Sequence, residues 1–235
     1  MGAMKQVLAM SIGIWVLPLA KYKKWLQIVF LIALGITIHP YVIFYFVIPF
    51  LYDMAWNWKA YLIVLGAILF SLFFLQFVKF AIELTSEIGD EYDIAVWTDE
   101  AGVNIFRLPF YFVTPLLGYI YRKEIQKSGD PRLACCVNLS IISGAFMSLA
   151  CFGGKNMFGR MAMYWDPFSW LALTNLIFHI IPQSYRRGII IGICCCFFLF
   201  YMRYNMKFAN SLRVMGGSYW FGCYFRHAAL FQLFR

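Results

Sequence analysis

The sequence predicts an all-α, multi-spanning transmembrane helical bundle, and three observations carry that expectation. Of the 235 residues, 63% are hydrophobic and only 13% are charged, too little charge to cover the surface of a soluble domain. The apolar residues fall into near-continuous runs, with a mean hydropathy of +0.71, as membrane helices require. Most of the cations sit in the short segments between those runs, the pattern of cytoplasmic loops. That placement accounts for the net charge of +9 without nucleic acid as a partner. No polar stretch exceeds about 20 residues, well below the size of an independent core. The chain therefore reads as a single membrane domain, residues 1–235.

Taken in order, Met1 to Ala20 has one cation, Lys5, and no small-residue cleavage site, so it does not read as a removable signal. Its apolar part, Val7 to Ala20, ends at Lys21-Tyr22-Lys23-Lys24, a strong cytoplasmic mark. Trp25 to Tyr52 follows, with His39-Pro40 near its middle. It is one long kinked span or two short helices meeting at a turn, because proline disfavours a helix at the residue before it and suits the first turn of the next. Further runs cover Tyr61 to Ile82, Ile105 to Tyr121, Leu133 to Phe152, Met161 to Ile181 and Gly188 to Tyr201. The whole amounts to about seven membrane segments, counting the two short helices at His39-Pro40. Residues 202–235 form a basic, aromatic tail suited to lying in the membrane interface.

Charge decides between a span and a turn at His39. A single span would put the Arg122 to Arg132 loop and Arg186-Arg187 outside, with the acidic segment inside. A turn puts Lys21 to Lys24, Lys59, the Arg122 to Arg132 loop and Arg186-Arg187 all on the cytoplasmic side, in keeping with the positive-inside rule. The turn is therefore expected, although each half-run would be only about 14 residues, or about 21 Å, long. His39, the acidic segment Glu83 to Glu100, Lys5 and the stretch Gly153 to Arg160 then share the outer face.

On that face, Lys155 and Arg160 lack local acidic partners, which suits phosphate, and Arg binds it through a fork of donors. Gly153, Gly154 and Gly159 let backbone approach a ligand. The plainer alternative is that both cations reach to lipid headgroups from helix ends. His39 is a candidate base or diphosphate donor, or else an interfacial histidine. Asp90, Glu91 and Asp93, the densest part of the acidic segment, are candidate bases for a sugar hydroxyl, against the plainer reading of a solvated loop. Asp166, just inside the next run, marks function because carboxylates are costly in lipid.

Six of the seven cysteines lie in apolar runs, and neither metal spacing nor a disulfide framework is visible. No cofactor or metal is expected. His179 and His227 read as structural, and Asn138-Leu139-Ser140 lies inside an apolar run where glycosylation has no access. Without a P-loop or a Gly-x-Ser-x-Gly elbow, hydrolase and nucleotide-driven chemistry have no support.

Met4-Lys5-Gln6-Val7-Leu8-Ala9, the Lys-rich turn after it, and Ile38-His39 leading into an apolar run resemble the EpsG branch of Wzy-type polysaccharide polymerases. In that family an Arg-Gln-x-x-Ala start, a Lys-rich turn and a helix ending in His-Tyr-Ser-Ala come in the same order. Gly159-Arg160-Met161-Ala162-Met163-Tyr164-Trp165 resembles the family's later Arg-x-x-x-Tyr-Phe stretch. The resemblance implies a glycosyltransferase of the bacterial plasma membrane that joins repeat units carried on undecaprenyl diphosphate, working among lipids and other polysaccharide-assembly proteins. It implies that Lys5, Arg160 and Tyr164 hold the diphosphate and that His39 and Arg160 act in catalysis; Lys155, from the reading of the residues, joins them as a diphosphate-binding cation. Lys5 stands where the family has Arg, and Pro40-Tyr41-Val42 where it has Tyr-Ser-Ala. The family carries further spans ahead of these motifs, so the resemblance implies a carboxy-terminal portion of a longer polymerase. A non-enzymatic transporter or flippase component for lipid-linked glycans is the alternative, needing the same cations but no base.

Overall fold

The computed structural model describes residues 2–52, 55–73, 76, 103, 105–152 and 155–214, and every regular element among them is helical. Helix α1 is Gly2–Lys21 and α2 is Trp25–Ile38, followed by a 3-10 helix, Pro40–Leu51. Then come α3 (Trp58–Leu72), α4 (Leu108–Ile120), α5 (Arg122–Ser128), α6 (Pro131–Phe152), α7 (Lys155–Asn175) with a π-helical turn at Leu176–Ile180, and α8 (Gln183–Val214). The chain divides into two compact units, Met1–Arg186 and Arg187–Arg235.

The chain turns at His39. The His39 backbone is extended, at φ −155° and ψ 125°, and its N–H still bonds the Gly35 carbonyl at 2.9 Å. The Trp25 and Phe50 rings, one from each far end of the two short helices, lie 6.0 Å apart. Start and finish meet, so α2 and the 3-10 helix form an antiparallel hairpin. Gly35 makes it tight: a Cβ there would stand 2.5 Å from Val42 Cγ1 and 2.9 Å from Ile12 Cδ1.

The 3-10 form of the second arm follows from its burial pattern. Val42, Tyr45, Ile48 and Leu51 are buried, one residue in three, which is the repeat of a 3-10 helix with its three residues per turn. The steeper rise of that helix stretches 12 residues to about 24 Å, a match for the 14 residues of α2 at about 21 Å.

Helix α6 is the centre of the first unit, packing on α7, α4 and α3. Over Pro131–Cys151 it is long and apolar enough to cross a membrane, with a mean hydropathy of 1.9. Trp25–Ile38, Pro40–Leu51, Trp58–Leu69 and Ile105–Ile120 are shorter apolar helices. The expected count of about seven membrane segments, two of them short, is not confirmed: among the described residues one helix has membrane length and the other apolar helices named are shorter.

Asn138 and Trp56 are tied down inside the bundle, as burial away from water demands. Asn138 is fully buried in mid-helix, accepting from the Trp56 backbone N–H at 2.9 Å and donating to the Leu51 carbonyl at 3.2 Å. Trp56, at a left-handed φ of 54°, also donates its indole N–H to the Pro115 carbonyl at 3.0 Å. This knot fixes the entry to α3, whose first turn is capped by the Asn57 side chain accepting from the Ala60 N–H.

Three sequence expectations shift. The glycine-rich stretch is helical from Lys155, so Arg160 stands within α7 rather than in a loop, and Pro167 lies inside the same helix. Among the described residues, a Cβ on Gly159 would meet only Val103, at 3.9 Å; there the glycine is a tolerated helical residue. At the far end, α8 runs through 202 to Val214 without a break, so the first part of the expected tail, 202–214, is helix. The rest of that tail, 215–235, lies outside the described residues, as does the acidic segment.

Candidate functional site at the His39 end

The hairpin fold sets His39 at its tip, and the start of α7 packs beside it. The His39 ring lies 5.5 Å from that of Tyr164, centroid to centroid, and 5.1 Å from that of Tyr41. Tyr41 meets Tyr164 edge-on at 5.9 Å. Behind them Tyr45 packs against Tyr164 at 6.1 Å and donates its hydroxyl to the Tyr164 carbonyl at 3.1 Å. Edge-on and tilted pairs are the favoured geometries for aromatic rings, so the four rings form a fixed wall.

Two polar atoms in that wall have no hydrogen-bond partner among the described residues. Tyr164 is 1% exposed and its hydroxyl is orphaned; so is His39 Nδ1, shielded although the ring as a whole is half-buried. An unpaired buried hydroxyl or imidazole nitrogen costs about 1–3 kcal/mol. The Tyr52 hydroxyl, Asn57 Nδ2 and Arg186 Nε are in the same condition elsewhere in the bundle.

Arg160 is exposed one turn before Tyr164, on the same face of α7 because residues four apart stack along a helix. It makes no hydrogen bond or ion pair with any described residue, yet its charge reaches His39. Burial, and secondly the Arg160 guanidinium, hold the His39 pKa below its ordinary 6.5. The imidazole is then neutral at pH 7 and free to accept a proton. Lys5, exposed in the first turns of α1, comes to the same end: the next residue, Gln6, approaches Met163 Sδ at 3.9 Å.

Of the residues expected from sequence, His39, Arg160, Tyr164 and Lys5 are thus brought to one end of the first unit. Lys155 opens α7, and its side chain lies outside the described part. Asp90, Glu91 and Asp93 also lie outside the described residues. Among the described residues no group of three or more His, Cys, Asp or Glu side chains could hold a metal ion.

Asp166 takes a different part. Ser143, buried on α6, donates to its Oδ1 at 2.9 Å while also reaching the Ala162 carbonyl at 3.1 Å. The Tyr111 hydroxyl on α4 bonds the same carboxylate. Asp166 therefore ties α4, α6 and α7 together behind the site. Six residues on from Arg160, it faces away from it. Sequence reading missed Tyr41, Tyr45, Ser143 and Tyr111, whose side chains sit in apolar runs with nothing to single them out.

Apolar helices packed around one of membrane length suggest a helical membrane protein. The chain matches the EpsG family over residues 1–220 and belongs to that family. Family membership points to a polysaccharide polymerase-type role. No curated protein and no solved structure is similar to the chain at the same standard.

Proposed function

We propose that the chain is a multi-pass glycosyltransferase of the bacterial plasma membrane that polymerises repeat units carried on undecaprenyl diphosphate. The observation that carries this reading is the convergence of Arg160, Lys5, Tyr164 and a neutral His39 at one end of a chain belonging to the EpsG family.

In this mechanism an acceptor sugar hydroxyl attacks the anomeric carbon of the lipid-linked donor. The new glycosidic C–O bond forms as the bond to the diphosphate breaks, and undecaprenyl diphosphate leaves. Arg160, Lys155 and Lys5 offset the charge growing on the diphosphate, the usual large term in such transfers. His39 takes the hydroxyl proton, with Asp90, Glu91 or Asp93 as the other candidate bases. The His39 end faces outward, and the basic aromatic tail at 202–235 lies at the interface.

Replacing Arg160 with alanine in cells tests the reading. Polymer formation is lost while the protein still inserts and accumulates in the membrane. Wild-type polymer lengths in Arg160→Ala would sink it. A transporter or flippase component is the second reading, favoured only if lipid-linked units move across the bilayer without release of undecaprenyl diphosphate.

A further inference from the structure

We infer that the Arg122 guanidinium, held by Tyr61 and Tyr119 at the end of the first unit away from His39, is a headgroup site for one anionic phospholipid. The inference stands apart from the polymerase reading and needs only that the chain lie in a membrane.

Three elements build the site. Tyr61 comes from the start of α3, Tyr119 from the last turn of α4, and Arg122 opens α5. The guanidinium stacks over the Tyr119 ring at 4.6 Å, within the range of a cation–π contact, and Nη1 donates to the Tyr61 hydroxyl at 3.2 Å. The Trp56 ring backs both tyrosines, 5.7 Å from that of Tyr61 and 5.2 Å from that of Tyr119. Trp56 is itself bonded to Asn138 on α6 and to the Pro115 carbonyl on α4, so the frame around Arg122 is anchored in the bundle.

Arg122 differs from the other cations at this end. Arg186 and Lys59 donate to backbone carbonyls, whereas Arg122 gives one donor to a side chain. A guanidinium has five, and among the described residues no other acceptor takes the rest. The Arg122 side chain is half-buried, and the rings that hold it are open to the surroundings, Tyr61 by 46% and Tyr119 by 42%. An oriented guanidinium with donors to spare suits a phosphate, which takes two of them at once through the fork.

The surroundings select a lipid over a soluble phosphate. Tyr61, Tyr119 and the exposed Trp58 lie at the ends of apolar helices, where such rings mark the membrane–water interface. Leu65, Ile68 and Leu69, all exposed, follow Tyr61 by four, seven and eight residues. They therefore continue its face along α3 and offer an apolar stripe to acyl chains. The charge also fits, since α5 carries Arg122, Lys123 and Lys127 against Glu124 alone. Basic clusters at the ends of membrane helices bind anionic headgroups. A soluble phosphate would use the guanidinium but neither the rings nor the stripe, and a zwitterionic lipid would leave the cations of α5 unmatched.

The test places the full chain in nanodiscs of equal parts phosphatidylglycerol and phosphatidylcholine and reads the retained lipids by native mass spectrometry. Wild type should keep one phosphatidylglycerol in preference to phosphatidylcholine. Arg122→Ala should lower that preference roughly tenfold or more, the loss of a hydrogen-bonded charge. Arg122→Lys should recover only part of it, because the charge returns without the fork. Lys127→Ala, which removes an exposed charge from the same helix, should lower it about fivefold at most. Glycerol phosphate in solution should not displace the lipid. The absence of any preference in wild type overturns the site. So does an equal loss in Lys127→Ala and Arg122→Ala, which reduces the binding to diffuse attraction by a basic rim. Displacement by glycerol phosphate makes the ligand a soluble phosphate and overturns the lipid. If Arg122→Ala lowers the melting temperature, Arg122→Lys decides, and retention equal to wild type in that variant overturns the site.

Discussion

At one end of the first unit three cations, Arg186, Lys59 and Arg122, turn inward; at the other, Arg160 turns to no described partner. Arg186 donates to the Phe178 carbonyl at 2.8 Å, closing the π-helical turn that follows α7. Lys59 donates to the Phe50 carbonyl at 2.8 Å, closing the foot of the hairpin. Arg122 bonds the Tyr61 hydroxyl at 3.2 Å and stacks over the Tyr119 ring at 4.6 Å. Carbonyls at helix ends are open acceptors, and cations are their natural caps. The same residue types therefore do two jobs. Where the protein supplies the acceptor, the cation holds the fold. At Arg160 no described group supplies one, and under the proposed function that cation meets an outside anion.

The sharpest way to break that contrast is at Arg160. Arg160→Ala should lower polymer output roughly a hundredfold or more, the scale for one charge-stabilising donor, and leave the melting temperature unchanged. A comparable fall in melting temperature would make Arg160 one more structural cation.

His39 comes next. Its pKa is held below 6.5 by burial and by Arg160, so it is the proton-free form that works, and that form is lost as pH falls. Polymerisation by wild type should therefore fall on the acid side with its midpoint below 6.5. His39→Gln should be roughly a hundredfold slower and lack the acid limb. An acid limb unchanged in the variant would hand the base role to another group.

Gly35→Ala probes the hairpin that delivers His39. Its methyl would enter the space of Val42 Cγ1 at 2.5 Å, and overpacking of this kind costs about 1–3 kcal/mol. Stability and activity should fall together, unlike in Arg160→Ala. A smaller effect belongs to the opposite end: Arg186→Ala should cost about 1 kcal/mol, a partly exposed hydrogen bond to a carbonyl, with polymer output preserved.

The turn at His39 was readable because a proline, the length of the apolar run and the distribution of loop charges agreed on it. The 3-10 form of Pro40–Leu51 was not readable, since a segment apolar on every side shows no period until burial picks out Val42, Tyr45, Ile48 and Leu51. Arg160 and Tyr164 were found through a short motif. Their helical setting was hidden by the three glycines nearby, which read as a loop, yet only Gly159 of the three lies within α7. Asp166 stood out as a carboxylate in an apolar run, but its partners Ser143 and Tyr111 come from helices distant in sequence. No local pattern joins them. The aromatic wall was missed for the same reason, its rings coming from the hairpin and from α7.

The central claim is that Arg160, without a partner among the described residues, serves glycosyl transfer at the His39 end. Its most direct test gives purified lipid-linked repeat units to the full chain in nanodiscs and follows released undecaprenyl diphosphate. The account predicts release matched to polymer growth in wild type and in Arg186→Ala, and neither in Arg160→Ala. Release by Arg160→Ala at the wild-type rate would contradict it.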